Sequence, residues 1–177
     1  MGWRGEWAGR FARAREELLR VLPAEATVEH FGSTSVPGLA AKPIIDILVV
    51  TEHLHRVDIV HRRLESLSYF LIARYFADDP DHVCFGRNTA GRRAENLHLF
   101  HPRSPQPRAN RDFRDYLIAH PDAADRYARA KREAAALHPG SRAGYSDHKA
   151  EVVRSLLLSA AEWSARRRSL GTGECRG

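Results

Sequence analysis

A single carboxylate, Asp46, lies in the apolar segment that runs from Ile44 to Val50. This segment is typical of a buried strand, where an ionised carboxylate is costly unless a metal, a cation or hydrogen bonds compensate for it. Upstream, Gly32 and Ser33 form a turn signal whose small residues and hydroxyls allow backbone N–H groups to surround a phosphate. The turn and the strand carboxylate together indicate a site for a nucleotide and a metal ion.

The turn at Gly32 has two interpretations. Glycine permits a positive φ and a close approach of a ligand to the backbone, and Ser33 and Thr34 add hydroxyl donors, which predicts phosphate binding. The alternative is a tight strand-to-helix turn in which a hydroxyl caps the backbone.

The role of Asp46 also has more than one interpretation. Asp46 could hold one metal, act as a base, or pair with Lys42 or an arginine.

His98 is the third candidate for chemistry. Asn96, His98 and Phe100 alternate onto one face of a predicted strand, and Leu97 and Leu99 take the other face. A histidine in this place could be a metal ligand or a base. A structural histidine held by hydrogen bonds is the alternative.

Several cations and one tyrosine complete the candidate set. Lys42 and Arg93 are candidate contacts for phosphate. Tyr145 and Lys149 lie four residues apart on one face of a predicted helix. They are either ligand contacts or a packed pair in which the lysine amine extends into solvent.

The pattern of apolar residues predicts an α+β domain with a mixed sheet, an N-terminal helix and C-terminal helices. The predicted helices cover residues 3–22, a segment after Thr51, 111–119, 121–138 and 142–168. The predicted strands cover residues 27–31, 44–50, 69–76, 82–87 and 95–100. We expect an acidic loop at 78–81, a hairpin turn at 88–91, a proline-rich loop at 101–110, one domain over 1–170 and a flexible tail over 171–177.

Composition restricts the partners. The 177 residues carry a net charge of +6, which favours anionic ligands, although an arginine-rich coding bias explains the charge equally well. Nucleic acid is disfavoured as a partner, because basic and aromatic residues are not interleaved as in common nucleic-acid modules. No apolar run approaches a membrane span, no secretory signal is visible, and Cys84 and Cys175 suggest no disulfide framework, so we expect a cytoplasmic protein.

Three segments resemble the GrpB family, over roughly residues 5 to 160. The first is the run from Glu29 to Ile47, EHFGSTSVPGLAAKPIIDI, and the second runs from Asn96 to Phe100. The third comprises the run from Phe113 to Leu117 followed by Tyr127, Lys131, Tyr145 and Lys149. The resemblance implies a nucleotidyltransferase-like fold.

The resemblance also implies roles for these residues. The Gly32–Ser33 turn would contact the phosphates of a nucleotide or another phosphorylated small molecule, Asp46 would ligate Mg²⁺ or Mn²⁺, and His98 or Lys149 would orient or deprotonate an acceptor. Proteins of this fold typically carry two carboxylates one residue apart, and here Leu48 occupies the second position.

This departure leaves a choice between two functions. The first is nucleotidyl transfer in which His98 replaces the missing carboxylate as a metal ligand. The alternative is a non-catalytic binding or stabilising module, because similar domains occur fused to dephospho-coenzyme A kinase. The acceptor, the base and the oligomeric state are not specified by the sequence.

Overall fold

The structure, a computed structural model, describes residues 2, 5–55, 57–72 and 80–171. The chain divides into two compact units, Met1–Arg108 and Ala109–Gly177. The single domain expected over 1–170 stays a prediction. Of the expected tail, Gly171 ends the last helix, and 172–177 lie outside the described residues, as do 78 and 79 of the predicted acidic loop.

Among the residues of the first unit that the structure describes, two α-helices and five strands are present. They are α1 (Glu6–Val21), β1 (Thr27–Phe31), β2 (Ile45–Val50), α2 (Val57–Glu65), β3 (Tyr69–Leu71), β4 (His82–Thr89) and β5 (Arg92–Phe100). The strand order is β1-β2-β5-β4-β3. Strands β2 and β5 pair in parallel, and the three other pairs are antiparallel. The mixed sheet of the predicted α+β class is therefore confirmed.

One face of the sheet is covered by α1 and α2. In α1, Trp7, Ala14 and Leu18 recur at helical spacing and are fully buried. They share one apolar core with alternate residues of the strands, among them Ile45, Ile47, Val49, Leu97 and Leu99. Because neighbouring residues of a strand point to opposite faces, the residues between them, including Asp46, Asn96 and His98, lie on the face away from this core.

The hairpin between β4 and β5 is tighter than the sequence predicts. β4 continues to Thr89 and β5 begins at Arg92, so the turn consists of Ala90 and Gly91. Both have a positive φ, of 50° and 73°, which is the geometry of a two-residue type I′ turn. The register that this turn sets shifts by one residue between Asn88 and Arg87, before the part of the two strands that carries His82 and His98.

The C-terminal helices are α3 (Gln106–Ala119), α4 (Pro121–Leu137) and α5 (Arg142–Gly171). Helix α4 packs along α5, and the ring of Phe113 meets the edge of Tyr127 at 5.4 Å. In the described part of the chain, no helix combines the length and the apolar character needed to cross a membrane.

The predicted loop at 101–110 is wrong in its second half, where α3 begins at Gln106. Three prolines favoured a loop, but Pro107 lies in the first turn, where its missing N–H breaks no helical hydrogen bond. Ser104 accepts a hydrogen bond from the Gln106 backbone N–H at 3.2 Å and so helps to start the helix.

Candidate functional site

The backbone turns sharply at Gly32, between β1 and a short 3-10 turn over Ser33–Ser35. Gly32 has a φ of 72° and a ψ of −170°, a conformation that residues with side chains rarely adopt. A Cβ at this position would lie 2.6 Å from Oδ2 of Asp46. Glycine therefore meets two needs, the positive φ and the close approach of the turn to the carboxylate.

The hydroxyl groups of the turn are engaged with its own surroundings. Ser35 Oγ donates to the Gly32 carbonyl at 2.7 Å. Thr34 is buried, and its Oγ1 lies 3.0 Å from Nε2 of His30, whose ring stacks on Phe11 of α1 at 4.8 Å. Thr34 and His30 thus anchor the turn to the first helix. Sequence reasoning missed His30, although it stands inside the family signature.

Asp46 of β2 lies beside Asn96 of β5 in the parallel register. The Asn96 side-chain amide donates to Asp46 Oδ1 at 2.9 Å, so both side chains occupy the same face of the sheet. His98 lies two residues beyond Asn96 and shares that face. The structure therefore meets the geometric condition for a single site that includes Asp46 and His98.

Arg93 contacts Asn96 from the side away from Asp46. Its Nη1 donates to Asn96 Oδ1 at 3.0 Å, and its Nε donates to Asn88 Oδ1 at 3.2 Å. The guanidinium also lies over the ring of Phe70 at 5.0 Å. The predicted contact of Arg93 with phosphate stays a prediction, since this head group already has protein partners.

His98 is held by a cluster of rings. Its Nδ1 lies 3.0 Å from Nε2 of His82, and its ring meets Phe31 edge to face at 5.2 Å. Burial, with a smaller effect of His82, lowers the pKa of His98 to about 3. A histidine with so low a pKa is neutral near pH 7, which suits a metal ligand or hydrogen-bond partner better than a general base, whose pKa should lie near the working pH.

Acidification is expected to destabilise the metal-free protein partly through His98. Its pKa falls from an ordinary value of 6.5 to about 3 on folding, so the unfolded state binds more protons between those values. The contribution of His98 to stability is complete above pH 6.5 and is lost as the pH falls toward 3. Urea unfolding at about pH 7 and about pH 5 should show a smaller loss of unfolding free energy in His98→Gln than in the parent.

His101→Gln, outside β5, is the matched control and should keep the full loss of the parent. An equal loss in the parent and in His98→Gln would contradict the assignment of this pH dependence to His98.

Glu95 lies on the opposite face of β5, as the alternation predicts. The Arg87 guanidinium donates to both of its carboxylate oxygens, at 3.0 and 2.8 Å, and Tyr69 donates its hydroxyl to the same carboxylate. Burial and the charge of Glu95 raise the pKa of Tyr69. These contacts satisfy a buried charge within the core face, so Glu95 takes no part in the candidate site.

Comparison with known proteins confirms the resemblance over nearly the same residues. Residues 2–158 match the family model described as GrpB protein. The chain belongs to the GrpB family. The UPF0157 protein YqkA of Bacillus subtilis is 31% identical over 166 residues, covering 89% of this chain and 46% of the relative, so the chain spans about half the length of that protein. A UPF0157 protein of Halalkalibacterium halodurans is 38% identical over 160 residues, covering 87% and 77%.

Solved structures agree with the family. The crystal structure of conserved protein GrpB from Enterococcus faecalis has a TM-score of 0.82 and 28% identity, and the match covers 93% of this chain and 98% of that one. The structure of the GLD-2/RNP-8 complex has a TM-score of 0.56 at 14% identity, covering 89% and 58%, and shows likeness of fold alone. The α+β fold expected from the sequence is confirmed.

This GrpB-family chain has a sparse donor set for a metal. Leu48, on the same face as Asp46, is fully buried and offers no ligand. Among the residues that the structure describes, no three or more histidine, cysteine, aspartate or glutamate side chains are placed to hold a metal ion. The Asp46 carboxylate is the kind of ligand that fits a cation arriving with phosphates, because Mg²⁺ commonly takes one or two carboxylates and completes its shell with phosphate oxygens and water.

The remaining candidates are Lys42, Tyr145 and Lys149. Lys42 is exposed, between the turn and β2. Tyr145 and Lys149 belong to α5 of the second unit, where the Lys149 Nζ lies 4.7 Å from the centre of the Tyr145 ring, and burial raises the pKa of Tyr145. That contact is the packed pair that the spacing allowed, and the ligand roles of all three residues stay predictions.

Proposed function

We propose that this protein binds a nucleoside triphosphate or a related phosphorylated ligand, together with Mg²⁺ or Mn²⁺, at the turn beside Asp46. The observation that carries the proposal is the contact between the turn and the carboxylate, where a Cβ on Gly32 would meet Asp46 Oδ2 at 2.6 Å. A glycine turn can bind a phosphate, and a carboxylate can bind a cation. The two can bind the same metal-complexed phosphate only when they lie next to each other.

Each residue of the proposed site has a distinct task. Ser33 and the backbone N–H groups of the turn bind phosphate oxygens, and Lys42 contacts the ligand from outside the turn. Asp46 and His98 hold the cation, which would neutralise phosphate charge when bound. The family fold makes nucleotidyl transfer the reaction to test, in which an acceptor hydroxyl attacks the α-phosphorus, loses its proton and displaces pyrophosphate. The pKa of His98 is too low for a base, so in this proposal the proton of the hydroxyl passes to water.

A screen of thermal stability tests the binding step. We expect ATP, CTP, GTP or UTP to raise the melting temperature with Mg²⁺ or Mn²⁺ and to do so much less in EDTA, because a ligand at 100 times its Kd stabilises the folded state by about 2.7 kcal/mol. Mn²⁺ should act at least as well as Mg²⁺, since an imidazole ligand such as His98 suits it better. The absence of a shift with every nucleotide, and with pyrophosphate, would overturn the proposal.

A non-catalytic binding module is the second candidate, and the burial of Leu48 favours it. Leu48 is 0% exposed at the position where a second carboxylate would support two-metal chemistry. Incubation with α-labelled nucleotide and a small-molecule extract distinguishes the two candidates. Release of pyrophosphate with a labelled product supports transfer, and binding without turnover supports the module.

A further inference from the structure

We propose that Arg93 and Asn96 position Asp46 and do not themselves contact the ligand. The three side chains form a continuous chain on one face of the sheet, from Arg93 Nη1 to Asn96 Oδ1 at 3.0 Å and from Asn96 Nδ2 to Asp46 Oδ1 at 2.9 Å. The functional part of this inference rests on the proposed binding of a cation at Asp46.

The chemistry of the two ends fixes the orientation of the amide between them. A guanidinium can only donate hydrogen bonds, and an ionised carboxylate can only accept them. Asn96 must therefore turn its oxygen toward Arg93 and its nitrogen toward Asp46, and the opposite orientation would break both contacts. A carboxylate held in this way presents Oδ1 to Asn96 and Oδ2 to the Gly32 turn.

The amide also separates two opposite charges. A direct ion pair between Arg93 and Asp46 would compete with a bound cation for the carboxylate, whereas an intervening amide transmits orientation and leaves the negative charge on Asp46. Partners of this kind around metal ligands typically change metal affinity by about 10- to 100-fold when they are removed.

Gly86 makes room for the Arg93 head group. Gly86 lies opposite Asn96 in the antiparallel register, and a Cβ there would lie 2.5 Å from Arg93 Nη1 and 2.6 Å from its Cζ. These atoms belong to the end of a flexible side chain, so Gly86→Ala displaces the guanidinium without changing any charge. The Arg93 guanidinium also donates a hydrogen bond to Asn88, and this second contact helps to hold the head group in place.

Five variants, one of them a control, test the proposal. Arg93→Ala, Gly86→Ala and Asn96→Ala should each weaken Mn²⁺-dependent nucleotide binding by about 10- to 100-fold, and added Mn²⁺ should restore it. Arg92→Ala, at the exposed neighbouring residue, is the matched control and should bind as the parent does. The double variant Arg93→Ala/Asn96→Ala should bind nucleotide no more weakly than Asn96→Ala. When one residue acts through another, the effects of their substitutions on affinity are not additive.

Two results would overturn the proposal. One is an additive loss in the double variant that added Mn²⁺ does not restore, which would identify Arg93 as a phosphate contact. The other comes from NMR of the Asn96 side-chain amide, which needs no ligand. We expect its protons to exchange slowly with water in the parent and in Arg92→Ala, and faster in Gly86→Ala and Arg93→Ala. Equal exchange rates in all four proteins would show that the three side chains form no such chain. A parent that binds no nucleotide but shows the expected exchange would defeat the proposed function alone.

Discussion

Asp46→Ala is expected to abolish metal-dependent nucleotide binding and to leave the fold largely intact. The substitution removes the carboxylate that adjoins the Gly32 turn, and with it the ligand that His98 alone cannot replace. Charged groups kept for function usually contribute little to stability or detract from it. Calorimetric titration with nucleotide and Mn²⁺ measures the loss, and circular dichroism and the melting temperature report on the fold.

Glu52→Gln is the control for the Asp46 experiment, because it removes an exposed carboxylate elsewhere in the first unit. Nucleotide binding should be the same in that variant and in the parent. If Asp46→Ala instead unfolds the protein, and the parent shows no effect of metals, Asp46 is a structural partner of Asn96 and the proposed site is wrong.

Gly32→Ala is expected both to destabilise the protein and to remove ligand binding. The φ of 72° and the ψ of −170° cost a residue with a side chain about 1–3 kcal/mol, and the new Cβ must also displace the Asp46 carboxylate. Urea unfolding measures the first effect, and calorimetric titration with nucleotide and Mn²⁺, at a temperature where the variant remains folded, measures the second.

Gly38→Ala separates strain from contact. Gly38 has a φ of 80°, but a Cβ at this position would meet no atom within 4 Å. We therefore expect this variant to lose stability through strain and to keep its nucleotide affinity. Equal affinities in the Gly32 and Gly38 variants would show that contact with Asp46 has no bearing on the ligand.

Much of the site could be predicted because its parts are local in sequence. The glycine turn and the strand with Asp46 lie within one short run of residues, and alternation along β5 placed Asn96 and His98 on one face without reference to any other strand. The same local reasoning failed at α3, where prolines signal a loop and a helix start equally well.

The contact between Asp46 and Asn96 could not be predicted. The two residues are 50 positions apart, and their meeting depends on the register between β2 and β5, which no local pattern specifies. Sequence reasoning named His98 as the metal ligand that would act with Asp46, and it had no means of showing that the register places Asn96 directly beside Asp46 and Leu48 beside His98. The position of the Arg93 head group could not be predicted for the same reason, because it depends on Gly86 of another strand.

The parallel pairing of β2 with β5 has a consequence for how the site forms during folding. β1 and β2 are near neighbours along the chain, so the turn and Asp46 can meet after closure of a short loop. Pairing β5 with β2 requires closure of a much longer loop, and contacts between residues so far apart in the sequence form slowly. A partly folded chain would thus hold Gly32 against Asp46 without Asn96, and the carboxylate would acquire its final orientation only when the whole sheet is complete.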